Sequence, residues 1–327
     1  VDRGRARGPV GEGRYQAPAA VIAPLGSSAV STDHTVTYFT VADERFFVGL
    51  ACLVNSLRLT GNEGEIVALD GGLSRPQADR LAGHVRLVPR DEEALTHPVL
   101  LKAYPHLLEP QGTIVVIDAD MIVTRSLDPI LDQVALGKVC LFADIEDQRD
   151  RRFAEWEEVF GLGRPPRRQH YLNSGFIALS TEHHPDLLSR FWEVCNRIPV
   201  EGLVQSGADY EQPFWGGDQD AINALLMSEV DADDVLELPE LEGPSPTWLD
   251  RVRIEDARSL RCTIDGYSPY LLHYWGTPKP WQPRSWLRVE RDAYVELMPR
   301  VLFAADCPVR VDPHEVPPWM RQGRGAA

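Results

Sequence analysis

From Thr35 onward, short β-branched and aromatic runs alternate with helix-patterned segments, and this rhythm leaves few architectures open. TVTYFTV (35–41), EIVALD (65–70), HVRLV (84–88) and TIVVID (113–118) have the length and composition of buried strands. Between them, FFVGLACLVNSLRLTG reads as a buried helix ended by Gly61, a second helix runs from Ser74 to about Gly83, and a helical stretch lies near 98–108. Strands separated by helices make βαβ units, and these predict a doubly wound α/β fold with the sheet covered on both faces. Ligands of such sheets bind beyond the carboxyl ends of the strands, so the residues just after each strand are the ones to interrogate. Farther along, KVCLFAD (138–144) and YLNSGFIAL (171–179) read as strands and 185–197 as a helix. GGDQDAINALLMSE (216–229) is a helix entered through glycines, and YLLHYW (270–275) is a strand leading into GTPKPW.

The pattern fades at both ends. Residues 1–33, rich in Gly, Pro, Ala and Arg, are expected to be a disordered leader, 34–305 a single α/β domain, and 306–327 a C-terminal tail of similar character to the leader. With 33 basic against 49 acidic residues and a net charge of −16, the chain has no general affinity for nucleic acid or anionic lipid, which need a cationic field. An anionic ligand must then be held by a local site, and the only lysines are Lys102, Lys138 and Lys279. Five cysteines without a C-x-x-C pair or zinc spacing fit reduced thiols and a cytoplasmic location. No segment approaches the roughly 20 apolar residues of a membrane span, so stable membrane insertion is not expected.

Asp118-Ala119-Asp120 follows an apolar strand directly. Two carboxylates at i and i+2 on a strand exit can both reach a divalent cation when the backbone turns there, and such a cation lets an acidic protein hold a diphosphate. The same pattern fits a solvated turn, or a phosphatase of haloacid dehalogenase type with Asp118 as nucleophile. His273 ends a later strand beside Gly276, Pro278 and Lys279, and fits either a third metal ligand or a structural histidine. Its strand end and that of Asp118 are expected on one face of the same sheet. Lys102 and Lys279 read as phosphate partners or as solvated charges. Asp218 suits the N-cap of its helix, an account that leaves Gln219 unexplained. Asn173 and Ser174 put polar groups into an apolar strand, where they need partners from a bound sugar or a neighbouring loop. The stretch 144–170 suits a surface lid or substrate-facing helix more than core. Its Arg149, Arg151, Arg152, Arg167 and Arg168 either meet an anionic acceptor or balance nearby acids.

In order, VADERFF, VALDGGLS, VVIDADMIVTRSLDPIL, YLNSGFIALS, GGDQDAIN and LLHYWGTPKPW resemble segments of the retaining glycosyltransferases of family eight. This is the GT-A-fold group that contains glycogenin and the bacterial lipopolysaccharide α-galactosyltransferases, and the resemblance runs from about Thr35 to Trp281. It implies a Rossmann-like mixed sheet flanked by helices, and metal-dependent transfer of a hexosyl group from a UDP-sugar to an acceptor hydroxyl with retention. It implies that Asp118, Asp120 and His273 ligate Mn²⁺ or Mg²⁺. Val41, Asp43 and Phe46 would contact the nucleobase, Asp43 through its carboxylate, with Ala119 beside the ribose. Lys102, Gly276 and Lys279 would hold phosphate and sugar. Asp144, Asn173, Ser174, Asp218 and Gln219 would surround the transferred sugar, Gln219 at the reacting carbon and Asp218 orienting hydroxyls. Phe46 stands where the family often has Tyr, and Arg45 where relatives have a small polar residue. The acceptor, whether glycan, lipid-linked or small molecule, is not specified by these residues. Two other classes stand beside this reading: a non-catalytic nucleotide-sugar or glycan binder of the same fold, and the phosphatase. Against the phosphatase stand Ile122 after the second Asp and the βαβ pattern that precedes Asp118.

Overall fold

β1 (Val36–Ala42) pairs in parallel with β2 (Glu65–Asp70) on one side and with β4 (Thr113–Ile117) on the other, and β2 carries β3 (Arg86–Pro89) at the edge. In this computed structural model the described residues are 35–90, 98–144, 150–199, 212–243, 247–282 and 292–321; the expected leader 1–33 and Arg149 lie outside them. The helices that return the chain between these strands are α1 (Phe47–Leu59), α2 (Arg75–Leu81) and a 3₁₀ segment, Pro98–Leu108.

Beyond β4 the sheet stops being parallel. β5 (Met121–Val123) leaves it, and α3 (Asp128–Ala135) leads to β6 (Val139–Ala143). After α4 (Glu155–Phe160), β7 (Leu172–Ser180) inserts between β4 and β6, antiparallel to both. α5 (Leu187–Arg197) and α6 (Asp218–Ser228) follow, and β8 (Val235–Leu238) closes the far edge parallel to β6. The order is β3-β2-β1-β4-β7-β6-β8, a mixed seven-stranded sheet flanked by helices.

Alternation along each strand divides the core in two. Tyr38, Val115, Ile117, Cys140, Phe142, Phe176 and Ala178 pack on one face with α1, α3 and a later helix, α7 (Ala293–Phe303). Phe39, Ile114, Val116, Leu141, Ile177 and Leu179 pack on the other with the 3₁₀ segment, α4, α5 and α6. Burial on both faces explains why these strands read as continuous apolar runs. Each large side chain so buried contributes on the order of 1.5–3 kcal/mol.

Three expectations are corrected. The His273 strand, β11 (Leu271–His273), does not join the main sheet but forms an antiparallel two-stranded ribbon with β5, pairing His273 with Met121. A second ribbon joins β9 (Arg253–Asp256) and β10 (Arg261–Thr263). The segment after residue 306 is not a free tail: Cys307 is buried, and Val309, Val311, Val316 and Met320 enter the core, the last in α8 (Pro318–Arg321). Buried Asn55 of α1 fastens it, donating to the Val301 and Val309 carbonyls at 2.6 and 2.9 Å and accepting from the Val309 N–H at 2.8 Å. The stretch 144–170 is not purely surface either, because Trp156 and Phe160 of α4 are fully buried. All five cysteines are free and buried. Among the described residues no helix is long and apolar enough to cross a membrane.

Candidate active site

The site begins where β4 ends. The Asp118 N–H donates to the Gly175 carbonyl of β7 at 2.9 Å, and the Met121 N–H returns to the Asp118 carbonyl at 3.2 Å, so the chain turns through 118–120 before β5. The Asp120 carbonyl accepts from the Tyr274 N–H at 3.1 Å, which extends the ribbon and brings His273 alongside. His273 Nε2 then lies 3.6 Å from Asp118 Oδ2 and 3.4 Å from Asp120 Oδ1. One ligand atom from each of the three lies within 4.8 Å of the others. Asp120 Oδ1 and His273 Nε2 are buried without a hydrogen bond, a cost that a shared cation would relieve. Carboxylate oxygens with one imidazole nitrogen suit Mn²⁺ or Mg²⁺ better than a thiophilic ion.

Gly175 makes room for this geometry. A Cβ built there would stand 2.6 Å from His273 Cε1, 2.7 Å from Met121 Cε and 2.9 Å from Asn173 Oδ1. Gly49 of α1 does the same nearby, where a Cβ would meet the Ala119 carbonyl and the Trp281 ring, each at 2.7 Å.

Both lysines face the carboxylates rather than solvent. Lys279, 5% exposed, donates to Asp120 Oδ2 at 2.5 Å and to the Tyr274 carbonyl at 2.8 Å. Lys102 lies 3.0 Å from Asp118, 3.1 Å from Asp218 and 3.3 Å from Ser174 Oγ. Burial raises the Asp118 pKa, more than the Lys102 charge lowers it. Burial also opposes Asp120, but the Lys279 charge and His273 outweigh it and hold that carboxyl below its ordinary range. Burial works against the Lys102 ammonium as well, and Asp118 and Asp218 overcome it, raising its pKa.

The remaining candidates form a hydrogen-bonded chain running from Lys102. Ser174 Oγ donates to Asp218 at 2.7 Å, the Ser174 N–H donates to Gln219 Oε1 at 3.0 Å, and Gln219 Nε2 donates to Asp144 at 2.6 Å. Asp218 therefore does not cap its helix; the N-cap is Gly217, whose φ of 56° suits glycine. Asn173 Oδ1 accepts from the Gly175 N–H at 2.9 Å, so both polar residues of the β7 run find partners within the protein.

Asp43 is engaged locally. One oxygen accepts from the Arg45 and Phe46 N–H groups, capping the turn Glu44–Phe46, and the other pairs with the Arg45 guanidinium at 2.8 Å. Phe46 sits edge-on to Trp281 at 6.1 Å and 5.6 Å from Lys279 Nζ, and Trp281 Nε1 donates to the Arg45 carbonyl at 2.7 Å. This turn thus touches the cation-site segment. Val41 and Ala119 contribute packing, and a Cβ at Gly276 would meet only Tyr274 Cε1, at 3.6 Å. Sequence reasoning passed over the steric roles of Gly175 and Gly49, and also the partnership of Arg151 with Asp220. A carboxylate at Asp220, two residues after Asp218 and directly before the apolar run of its helix, was the available signal for that pair.

No family model and no curated protein matches the chain. Solved structures do. The bifunctional glycosyltransferase WbbM superposes with a TM-score of 0.53 at 16% identity over 84% of this chain, which spans 51% of that one. The galactosyltransferase LgtC, in complex with donor and acceptor sugar analogues, gives 0.50 at 18% identity, covering 80% of this chain and 95% of LgtC. The glycosyltransferase GlyE of Streptococcus pneumoniae TIGR4 gives 0.52 at 12% identity, covering 84% of this chain and 62% of GlyE. At such identities the match concerns the fold: this chain has the GT-A fold of these glycosyltransferases.

Proposed function

We propose that the protein is a metal-dependent retaining glycosyltransferase that moves a hexosyl group from a UDP-sugar to an acceptor hydroxyl. The observation that carries the reading is the trio of half-buried Asp118 and buried Asp120 and His273, with two orphaned polar atoms and two lysines against it, at a strand exit of this fold. LgtC, a galactosyltransferase described with donor and acceptor sugar analogues and as an active-site glutamine-to-glutamate variant, has a glutamine in its active site, and in this chain Gln219 lies hydrogen-bonded to Ser174 and Asp144 beside Asp218. Five unpaired buried thiols favour a reducing, cytoplasmic location.

Asp118, Asp120 and His273 would hold Mn²⁺ or Mg²⁺, which when bound supplies positive charge to the diphosphate. Val41, Asp43 and Phe46 would flank the nucleobase, with Ala119 by the ribose. Lys102, Gly276 and Lys279 would meet phosphate and sugar, and Asp144, Asn173, Ser174, Asp218 and Gln219 the transferred hexose. In the transfer, the bond from the anomeric carbon to the β-phosphate oxygen breaks and its electron pair stays with the nucleotide. The acceptor oxygen bonds to the same face of that carbon, and its proton passes to the departing phosphate. Lys279 stabilises the charge growing on that phosphate, and the Gln219 oxygen faces the cationic carbon.

The test is metal-dependent nucleotide release across UDP-glucose, UDP-galactose and UDP-N-acetylglucosamine, together with calorimetry of UDP binding in Mn²⁺. Release with one donor, abolished by chelation, is the expected result. UDP binding without turnover on any donor and acceptor would support the binder instead, and an absence of both would reject the family reading.

A further inference from the structure

Asp220 lies one residue beyond Gln219 in the first turn of α6, and its side chain has no exposed surface. Four donors converge on its carboxylate: Arg151 Nε at 2.7 Å and Nη2 at 2.9 Å, the Tyr171 hydroxyl at 2.8 Å and the Gly216 N–H at 2.6 Å. Those contacts fill the lone-pair sites of a carboxylate. The Arg151 guanidinium is caged in turn by Phe153, Tyr171 and Trp215, with Cζ 4.7, 5.8 and 5.9 Å from the ring centroids. It also donates to the Gln212 carbonyl at 2.6 Å, and Trp156 Nε1 donates to the Pro213 carbonyl. Residues 151–156 therefore pin the segment 212–216 that enters α6.

A buried ion pair adds little stability over a well-packed apolar pair, so stability alone does not account for this one. A bidentate fork does fix orientation. What it orients here are Asp218 and Gln219, whose side chains meet Lys102, Ser174 and Asp144 on the far side of the same helical turn.

We propose that Arg151 is a positioning residue for the transfer. Its fork on Asp220 sets the first turn of α6 so that Asp218 and Gln219 face the Asp118–Lys102 corner, and it keeps Asp220 saturated, so that Asp220 does not act as a covalent nucleophile. This rests on the glycosyltransferase reading above.

Two variants test it. Arg151→Lys keeps the charge and loses the fork. Arg151→Met combined with Asp220→Asn removes both charges and keeps an oxygen for the Gly216 N–H, while the new amide N–H can donate to the Tyr171 hydroxyl oxygen. Both are examined by thermal unfolding, calorimetry of UDP in Mn²⁺, steady-state nucleotide release and hydrogen exchange over 212–223. Misplacing reacting groups by an ångström costs about 100-fold, so kcat should fall by that order while KM and UDP affinity stay within about fivefold. Exchange over 212–223 should quicken roughly tenfold, and exchange over 113–123 should not change.

Wild-type kcat in either folded variant, or unchanged exchange across 212–223, overturns the proposal. So does a parallel loss of kcat and UDP affinity, or failure of both variants to fold, since either assigns the pair to general structure. A mass gain on the Asp220 peptide after incubation with donor refutes the claim that Asp220 is no nucleophile. A wild-type chain that neither binds nor turns over any UDP-sugar overturns the glycosyltransferase reading and the catalytic part of this one. In that case the exchange measurement still decides whether the clamp exists.

Discussion

Replacing Gly175 by alanine isolates the steric basis of the cation site. The added Cβ would sit 2.6 Å from His273 Cε1, whereas carbon atoms settle at about 3.5–4.0 Å, so the imidazole must retreat by roughly 1 Å. Met121 Cε, at 2.7 Å, ends a flexible side chain and yields cheaply. The ring is 5% exposed and its backbone is tied to β5, so it has little freedom to move as a unit. Overpacking of this kind costs about 1–3 kcal/mol, which lowers the melting temperature by several degrees without unfolding the chain. Ligand distances tolerate about 0.2 Å, so a shift of that size removes His273 from the donor set and should weaken Mn²⁺ binding by about 10- to 100-fold. The assay is titration of Mn²⁺ in the presence of UDP, with a melting curve on the same sample. Gly163→Ala, where an added Cβ meets nothing within 4 Å, is the control and should match wild type in both. A folded Gly175→Ala protein that binds Mn²⁺ as wild type does would refute the steric argument.

Asp120→Asn should reduce Mn²⁺-dependent nucleotide release by at least about 100-fold while leaving circular dichroism unchanged, because Lys279 retains the Tyr274 carbonyl; unimpaired release would remove Asp120 from the site. Asp118, its pKa raised by burial, should protonate at a higher pH than an ordinary carboxyl, so Mn²⁺ affinity should fall as pH drops through that raised range and recover above it, as calorimetry at stepped pH would show. By the same linkage the ionised Asp118 detracts from stability at neutral pH; its favourable contribution is full below the unfolded pKa and is lost as pH rises through the folded one. Asn55→Leu strands the Val301 carbonyl of α7 and both backbone groups of Val309 in the C-terminal segment, and should cost roughly 3 kcal/mol in urea unfolding; a midpoint within error of wild type would show that the segment is held by its apolar contacts alone.

The strands up to β4 and the helices between them were legible because burial on both faces of a sheet leaves uninterrupted apolar runs. The reversal at β7 was not legible in the residue pattern, since LNSGFIALS carries the same pattern whichever way it runs, and only the family resemblance implied a mixed sheet. A three-residue strand, Leu271-Leu272-His273, looks alike in a sheet or a ribbon, so the partnership with β5 was invisible while the nearness of His273 to Asp118 and Asp120 was anticipated. Val309 and Val311 were masked by the charges and prolines around them, and only Asn55, remote in sequence, reveals their place. The capping of the Glu44–Phe46 turn by Asp43 was not legible either, because the resemblance speaks only of a base contact, while an aspartate side chain also competes locally for backbone N–H groups.

The ribbon of β5 and β11 also has a consequence for how the chain matures. Nearly half of the sequence separates Asp120 from His273, and Lys279 arrives on the same late segment. As the polypeptide is made, the two carboxylates emerge with Lys102 already behind them but without the imidazole or the second ammonium. Until that segment docks, the cation site does not exist. An ion that binds only the finished trio then favours the completed fold by mass action. Added Mn²⁺ should therefore shield 113–123 and 270–282 from protease together, as one cooperative unit.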